Sequence, residues 1–290
     1  MRFKNLTIFS FEGSADIQEF PMLQETNNLT PTIGWLVANY YTGETQIDTN
    51  NATLFSFGID EKIIPSSVLN KELDKSVREI EQKESRKVGR KEKLDIKDEI
   101  AFSLLPRAFN KTTSSLMYVD KLHNLIFVDS CSAKMTNVLY DLIDSSFKDL
   151  KITGTLLGSA SISATMTDWL LHDCLPPFLE TGNQCSIKDA ENSLVSKGFE
   201  PLSDDITRHL DEGMTVDSLS VSWSDKLSFT IDSKLNIKGI KFLDLLEKQH
   251  EQDQGDQNQD FVSDFILHVL TFRELVMSLY DCFSLKGDVE

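Results

Sequence analysis

The chain has 290 residues, 40% of them hydrophobic, so it is long and apolar enough to bury a core and is not a disordered protein. It carries 29 Lys and Arg against 46 Asp and Glu, a formal net charge of −17, which opposes loose attraction to nucleic acid. No run of about 18 apolar residues occurs, so the sequence predicts no membrane span.

The first residues alternate in the manner of a β-strand rather than forming a signal peptide. Over Phe3 to Phe11, Leu6 and Ile8 face one way, while Phe9 and Phe11 face the other.

A second strand is predicted over Leu54 to Ile64, and Pro65 and Ser66 then favour the start of a helix. Apolar residues recur after it at helical spacing and form one stripe. These residues are Leu69, Leu73, Val77 and Ile80. The sequence thus predicts a helix whose first half packs on the body of the protein.

The stretch KESRKVGRKEK, Lys83 to Lys93, concentrates positive charge in this acidic chain, with six basic and two acidic residues. Steps of three and four relate most of its basic residues, so we expect the same helix to continue and to project a basic face. Gly89 weakens this prediction, because Gly costs a helix about 1 kcal/mol relative to Ala. The basic residues are Lys83, Arg86, Lys87, Arg90, Lys91 and Lys93.

Further elements follow in the middle of the chain. Asp95 is a candidate cap for a helix over Ile96 to Leu105 that Pro106 ends. Two apolar strands, Leu116 to Val119 and Leu125 to Asp129, flank DKLHN and predict a hairpin. An amphipathic helix is then expected over residues 133–147.

The second half predicts a short helix at SDDITRHLDEG, with Ser203 as its cap, followed by a β-meander over residues 215–242. A Gln- and Asp-rich linker, Gln249 to Asp260, separates the meander from a last helix over 261–283. We therefore predict an α+β fold with mixed or antiparallel sheets. Its expected parts are residues 1–165, with a basic helical arm at 66–105, and residues 166–290.

One face of the predicted meander is polar, with Ser and Thr residues and the three lysines Lys226, Lys234 and Lys238. These side chains are candidates for a second tier of phosphate contacts. Antiparallel sheets often keep one face in water, so a solvated face explains the same pattern more simply.

Signals for catalysis are weak. The five histidines are isolated, no pair of the four cysteines has a metal-binding spacing, and no phosphate-binding glycine loop occurs, so no metal or cofactor is predicted. The cysteines indicate reduced thiols in a cytosolic protein. Asp120 and Asp129 end neighbouring strands and are candidates for the paired carboxylates of a metal-dependent nuclease. Helix capping by Asp129 is the more economical interpretation.

Two segments resemble the signature blocks of the RdgC family of recombination-associated bacterial proteins. They are LDIKDEIAFSLLPRAF, Leu94 to Phe109, and NLIFVDSCSAK, Asn124 to Lys134. The run SLLPRAF is the most specific match. Weaker matches occur in family order at FKNLTIF, Gly34–Trp35, EKIIPSSV, LSDDITRHLDEG and DFILHVLTFREL.

The resemblance implies a homodimer closed into a ring with a basic hole, which binds double-stranded DNA with little sequence preference and restricts RecA filament formation and strand exchange. It implies no catalytic activity and no cofactor, and a cytoplasmic, nucleoid-associated location. It also assigns Arg107 and Phe109, after the LLP run, to closure between subunits. The chain departs from the family where SKGFEP precedes LSDDI, because only Lys197 remains there of a basic cluster.

Two alternatives stay open at this point. The basic segment can dock an acidic protein partner, with DNA incidental, or the chain can be the nuclease described above. The resemblance favours a non-enzymatic protein that binds DNA and does not span a membrane.

Overall fold

The computed structural model describes residues 2–26, 30–155, 162–198, 204–243 and 257–283. The fold is α+β with a large antiparallel sheet, as predicted. The strands are β1 (Asn5–Glu12), β2 (Thr32–Leu36), β3 (Gln46–Thr49), β4 (Ala52–Ile63), β5 (Phe109–Asp120), β6 (Leu125–Val128), β7 (Lys151–Thr155), β8 (Leu179–Lys188), β9 (Ser193–Lys197), β10 (Thr215–Trp223), β11 (Leu227–Asp232) and β12 (Ile237–Phe242). The α-helices are α1 (Ser66–Glu84), α2 (Arg90–Leu104), α3 (Ala133–Ser146), α4 (Ile162–His172), α5 (Asp204–Asp211) and α6 (Gln257–Phe283).

The chain forms two compact units that interleave along the sequence. Unit 1 comprises Met1–Glu19, Val37–Ser56 and Ser115–Glu290, and unit 2 comprises Phe20–Leu36 and Phe57–Ser114. Strands β4 and β5 each contribute residues to both units. The boundary expected at residue 165 therefore falls inside unit 1.

In unit 1, helix α6 packs on one side of the sheet and forms the main core with it. From β6 the strand order continues β1-β12-β11-β10-β8-β9, and β7 also pairs with β1. Leu6 and Ile8 lie in the core cluster with α6, whereas Phe9 and Phe11 face the other way, so the predicted faces of β1 are confirmed. The core is rich in rings, and Tyr118 stacks on Phe127 at 4.5 Å. Edge and stacked ring contacts of this kind add to the stabilisation from burial.

The predicted meander is present as β10, β11 and β12, paired antiparallel. Along β11 buried and half-buried residues alternate strictly, because one face packs on α6 and the other does not. Helix α6 starts at Gln257, earlier than predicted, and so includes the end of the expected linker. The rest of that linker, residues 249–256, and Ser203 lie outside the described residues.

Unit 2 has a small core of its own. Trp35 is fully buried and meets Phe57 edge-on at 6.4 Å and Phe20 at 6.1 Å. Next to it, the buried carboxylate of Asp60 accepts hydrogen bonds from the amide of Thr26 at 2.8 Å and from the hydroxyl of Thr112 at 2.7 Å. A buried carboxylate is tolerated only when donors satisfy it, so these bonds fix the start of β5.

Candidate nucleic-acid interface

The basic stretch Lys83–Lys93, hereafter the basic turn, is not the continuous helix that the spacing predicted. It comprises the end of α1, a turn over residues 85–89 and the first residues of α2. Helix α1 ends at Glu84, because Ser85 adopts a left-handed conformation with φ of 51°. Helix α2 begins at Arg90 after Gly89, so the prediction that Asp95 caps this helix was also wrong. The weak point of the sequence pattern, Gly89, is thus where the second helix starts.

Two contacts anchor the basic turn. Val88 is buried, although its neighbours on both sides are exposed, and its amide donates a hydrogen bond of 3.1 Å to Glu81 of α1. Helices α1 and α2 pack on each other, although α2 buries no residue fully. The turn is therefore an exposed structure held by few contacts.

Arg86 is tied to the turn's own carboxylates. Its guanidinium donates to both oxygens of Glu92, at 2.6 and 2.7 Å, and to Glu84 at 2.6 Å. The hydrogen bonds to Glu92 and, to a lesser extent, to Glu84 raise the pKa of Arg86 above its usual value. The bond from Arg86 in turn lowers the pKa of Glu92. A two-pronged pair of this kind is the strongest geometry that an arginine and a carboxylate form. Arg86 therefore offers less free charge to a ligand than the sequence count suggests.

The five other cations of the basic turn are exposed, and no ion pair is present for any of them among the described residues. With Arg86 offset by Glu84 and Glu92, this leaves a cluster of unpaired positive charge in a strongly acidic chain. Such a cluster attracts polyanions through counterion release. Its members are Lys83, Lys87, Arg90, Lys91 and Lys93.

Lys226, of unit 1, lies on the opposite side of the sheet from the one predicted. Its ammonium lies 2.7 Å from both oxygens of Glu274 on α6 and 5.2 Å from the ring centre of Trp223. Trp223 belongs to the core that packs on α6. Lys226 is therefore ion-paired on the side of the sheet that packs on α6. It does not lie on the opposite, open face of the sheet, which carries the serines.

The two other predicted lysines differ from each other. Lys238 lies 2.7 Å from Asp232, and this hydrogen bond raises the pKa of the lysine. Burial would raise the pKa of Asp232, but bonds from Lys238 and Asn236 lower it below the usual value. Lys234 is exposed, with no ion pair among the described residues. Only Lys234 of the three is thus free to meet a ligand.

The register of the strands adds a lysine that the sequence pattern missed. Ser222 pairs with Ser228, which pairs with Lys241, so hydroxyls and an exposed ammonium form one row across three strands. This row lines an open cavity of about 540 Å³. A shift in register between Ser228 and Thr230 places Lys241 there, which simple alternation does not predict.

Unit 2 holds further exposed cations outside the basic turn. Lys71, Lys75 and Arg78 follow one another at helical spacing along α1, and no ion pair is present for them among the residues described. Carboxylates at Glu72 and Glu79 flank them, so this stripe is close to neutral. In the sequence, acidic residues lie between these three cations, so they do not stand out as a basic cluster.

Arg107 and Phe109, which the resemblance assigns to subunit closure, lie between the end of α2 and the start of β5. Leu105–Arg107 is a short 3-10 helix containing Pro106, and Phe109 opens β5 with 81% of its surface exposed. A phenylalanine this exposed contributes nothing to the core of its own chain, whereas it suits an anchor in a protein interface.

Comparison with known proteins identifies the family. The family model described as "Putative exonuclease, RdgC" matches residues 1–286. A protein of Pseudomonas aeruginosa (strain LESB58) named "Recombination-associated protein RdgC" is 35% identical over 232 residues, 79% of this chain and 76% of that protein. Relatives of the same name from Pseudomonas paraeruginosa and Pseudomonas putida (strain GB-1) are 35% identical over 77% of this chain and 74% of their own length. The chain belongs to the RdgC family. The resemblance found in the sequence is thereby confirmed.

The description of the RdgC family model includes the word exonuclease, and Asp120 and Asp129 are the carboxylates that the sequence offers for a nuclease. They lie towards opposite ends of the β5–β6 hairpin, because Asp120 pairs with Leu125 and the amide of Asp129 bonds to Leu116. Four residues of strand separate these positions, about 13 Å. The expectation that the two carboxylates approach each other was therefore wrong.

Both carboxylates of this RdgC chain are also occupied. Asp120 is fully buried and accepts two bonds from Arg273, at 2.7 and 2.8 Å, and one from His123 at 2.9 Å. Asp129 accepts the amides of Lys4 and Asn5, both at 2.8 Å, so it holds β1 and does not cap α3 as proposed. Burial raises the pKa of Asp129 despite these bonds. Within the described residues, no cluster of His, Cys, Asp and Glu is suited to a metal.

The four cysteines are free thiols. Burial raises the pKa of Cys185 to about 11 and that of Cys282 to about 12, so neither is ionised near neutral pH. Cys174 is exposed, whereas Cys185 is buried and Cys131 and Cys282 are half-buried. No helix within the described part of the chain is long and apolar enough to cross a membrane.

Proposed function

We propose that this RdgC-family chain binds double-stranded DNA without sequence preference through the basic turn. The observation that carries the proposal is the set of five exposed cations there, for which the described part of the chain supplies no ion pair, in a chain whose net charge is −17. Lysine and arginine side chains release condensed counterions when they contact phosphates, and such contacts carry no sequence information.

Lys234, Lys238 and Lys241 are proposed as weaker contacts, with Lys238 first having to leave Asp232. Lys226 is the weakest of these candidates, because Glu274 and Trp223 hold it. The hydroxyls of the Ser222–Ser228–Lys241 row suit the sugar-phosphate backbone, to which most protein–DNA hydrogen bonds are made.

We further propose that the chain acts as a homodimer closed into a ring around duplex DNA, with Arg107 and Phe109 at the closure. By occupying DNA in this way it would restrict RecA filament formation and strand exchange, in keeping with the name "Recombination-associated protein RdgC" of its relatives. The exposed Phe109 supports the closure, since burial of one aromatic anchor dominates many interfaces.

The salt dependence of binding tests the proposal. Fluorescence anisotropy with two labelled duplexes of unrelated sequence measures the affinity at several salt concentrations. If half of the ten unpaired turn charges of a dimer neutralise phosphates, log K falls with log[salt] with a slope of about −4 to −5. A flat slope, or a large preference for one duplex, would contradict the proposal.

Docking of an acidic protein partner on the basic turn is the second candidate function. Leu94, which follows Lys93, and Phe102 further along α2 are 55% and 66% exposed, and exposed apolar side chains suit a protein partner better than phosphates. Reversal of charge at Lys87 and Arg90, which are exposed and have no ion pair among the described residues, distinguishes the two functions. It should abolish DNA binding if DNA is the ligand and leave it intact if a protein partner is.

A further inference from the structure

A loop of unit 1 presents two neighbouring tyrosines to solvent. Tyr40 is 91% exposed and Tyr41 55% exposed, and their rings meet edge-on at 6.5 Å. Aromatic side chains are costly to leave in water, and they are enriched at the centres of protein interfaces. A pair of them at a loop tip therefore indicates a contact surface.

Hydrogen bonds fix the shape of this loop. The amides of Ala38 and Asn39 both donate to the carbonyl of Glu44, at 2.9 and 3.0 Å, and the amide of Gly43 donates to the carbonyl of Asn39 at 2.9 Å. The hydroxyl of Thr42 donates to the carboxylate of Glu44 at 2.6 Å. The tyrosines are thus displayed by a closed turn.

Buried Asn39 anchors the turn to α6. Its side-chain amide donates to Asn258 at 2.6 Å, and its side-chain oxygen accepts the amide of Tyr41 at 3.0 Å. Tyr41 also meets Phe261 of α6 edge-on at 6.3 Å. A partner that binds a loop held in this way loses little entropy in ordering it, which favours affinity.

The charge around the tyrosines is negative. A groove of about 720 Å³ beside the loop is lined by Glu44 and Asp48, with Ile47 and Val262 supplying apolar surface. Lys121 approaches Asp48 only to 3.8 Å, with both side chains exposed. These carboxylates repel phosphates, so the tyrosines are unsuited to stacking on nucleic-acid bases, which requires a cationic groove.

We infer that Tyr40, Tyr41 and the adjoining groove dock an arginine-bearing segment of a partner protein. A guanidinium stacks on tyrosine rings and donates two parallel hydrogen bonds to a carboxylate, so it matches both features of this surface. The inference concerns unit 1 alone and does not depend on DNA binding by the basic turn.

A short peptide of alternating Arg and Gly, carrying a fluorescent label, tests this surface on the full-length chain. The expected order of binding is the Arg peptide, then the matched Lys peptide, with no binding of the matched Asp peptide. Tyr40→Ala and Glu44→Gln should each weaken binding of the Arg peptide by about 5-fold, as loss of an interface anchor does.

Glu191→Gln is the matched control, since it removes an exposed carboxylate from the turn between β8 and β9. Circular dichroism checks that each variant is folded, which is expected because Tyr40 is almost wholly exposed. If Tyr40→Ala and Glu44→Gln bind the Arg peptide as Glu191→Gln does, the attraction is only that of an acidic chain, and the inference fails. Absence of Arg-peptide binding to the unaltered protein also overturns it.

Discussion

The basic turn of unit 2 and the open sheet face of unit 1 both drew attention through their lysines, but they differ in how much of that charge is free. In the turn, five of the six predicted cations have no ion pair among the described residues. Of the three lysines predicted for the sheet face, Lys226 and Lys238 are held by Glu274 and Asp232. The number of basic residues in a sequence is therefore a poor measure of the charge that a ligand meets.

The difference has a physical origin. An ion pair formed in water contributes little to stability, but it removes a cation from the set that can release counterions on DNA. Within the turn the only internal competitors are Glu84 and Glu92, and Arg86 engages both. On the sheet face Asp232 engages Lys238, whereas Glu274 engages Lys226 on the side that packs on α6.

The largest effect is expected from neutralising the turn. Replacement of Lys83, Lys87, Arg90, Lys91 and Lys93 by Gln should lower duplex affinity by about 100-fold or more and make the salt slope shallower by about 4 to 5. Fluorescence anisotropy across a salt series measures both quantities. Lys71→Gln/Lys75→Gln/Arg78→Gln, in the same unit but flanked by acids, is the comparison variant. Equal losses in the two variants would remove the special role of the turn.

A smaller effect is expected on the sheet face. Lys234→Gln/Lys241→Gln removes two cations that have no ion pair with any residue the structure describes. It should weaken duplex binding by about 3- to 10-fold, with a correspondingly shallower salt slope. Lys226→Gln is its control, because that lysine is held by Glu274. If Lys226→Gln lowers the affinity for the duplex as much as the double variant does, an ion pair does not keep a lysine from contacting DNA.

Glu92→Gln should act in the opposite direction. It removes a negative charge from the turn and frees one side of Arg86, so duplex binding should tighten by about 2- to 3-fold. Glu99→Gln on the same helix removes an equal charge without freeing an arginine and controls for net charge. If Glu92→Gln weakens binding instead, the pair serves to hold the turn in place.

The last expected effect concerns stability and not DNA binding, and it is a pH-dependent difference between the paired carboxylates. Since the pKa of Asp232 is lowered in the fold, its stabilising contribution is complete above the unfolded value of about 3.9 and is lost as the pH falls through the folded value. Asp232→Asn should therefore cost about 1–2 kcal/mol at pH 7 and progressively less below pH 4. Thermal unfolding measured from pH 7 to pH 3 gives this difference. The exposed Glu92→Gln should leave the melting temperature nearly unchanged throughout that range.

Elements that depend on local patterns were predictable. Alternation located β1, the β5–β6 hairpin and the meander, and Pro65 with Ser66 marked the start of α1. By contrast, β8 and β9 escaped notice, because Thr, Asn, Gln and Ser interrupt their apolar pattern. Their place in the sheet is given by pairing with β10, which lies later in the chain.

The site was predictable in composition but not in geometry. Gly89 signalled a weak helix, yet the break occurs at Ser85 through a left-handed backbone that this residue type does not demand. Lys226 was assigned to the wrong side because Glu274, which holds it, comes 48 residues later. Likewise, the separation of Asp120 from Asp129 follows from strand register and not from their distance in sequence.

Because the two units interleave along the sequence, synthesis of unit 2 is complete well before that of unit 1. Every residue of unit 2 is synthesised by Ser114, so the basic turn can form while most of unit 1 is still missing. The pairing of β1 with β12, which joins Asn5 to Lys238, must wait until β12 is synthesised, and such distant pairing slows folding. The nascent chain thus contains the basic turn before most of the acidic residues of unit 1 have been synthesised.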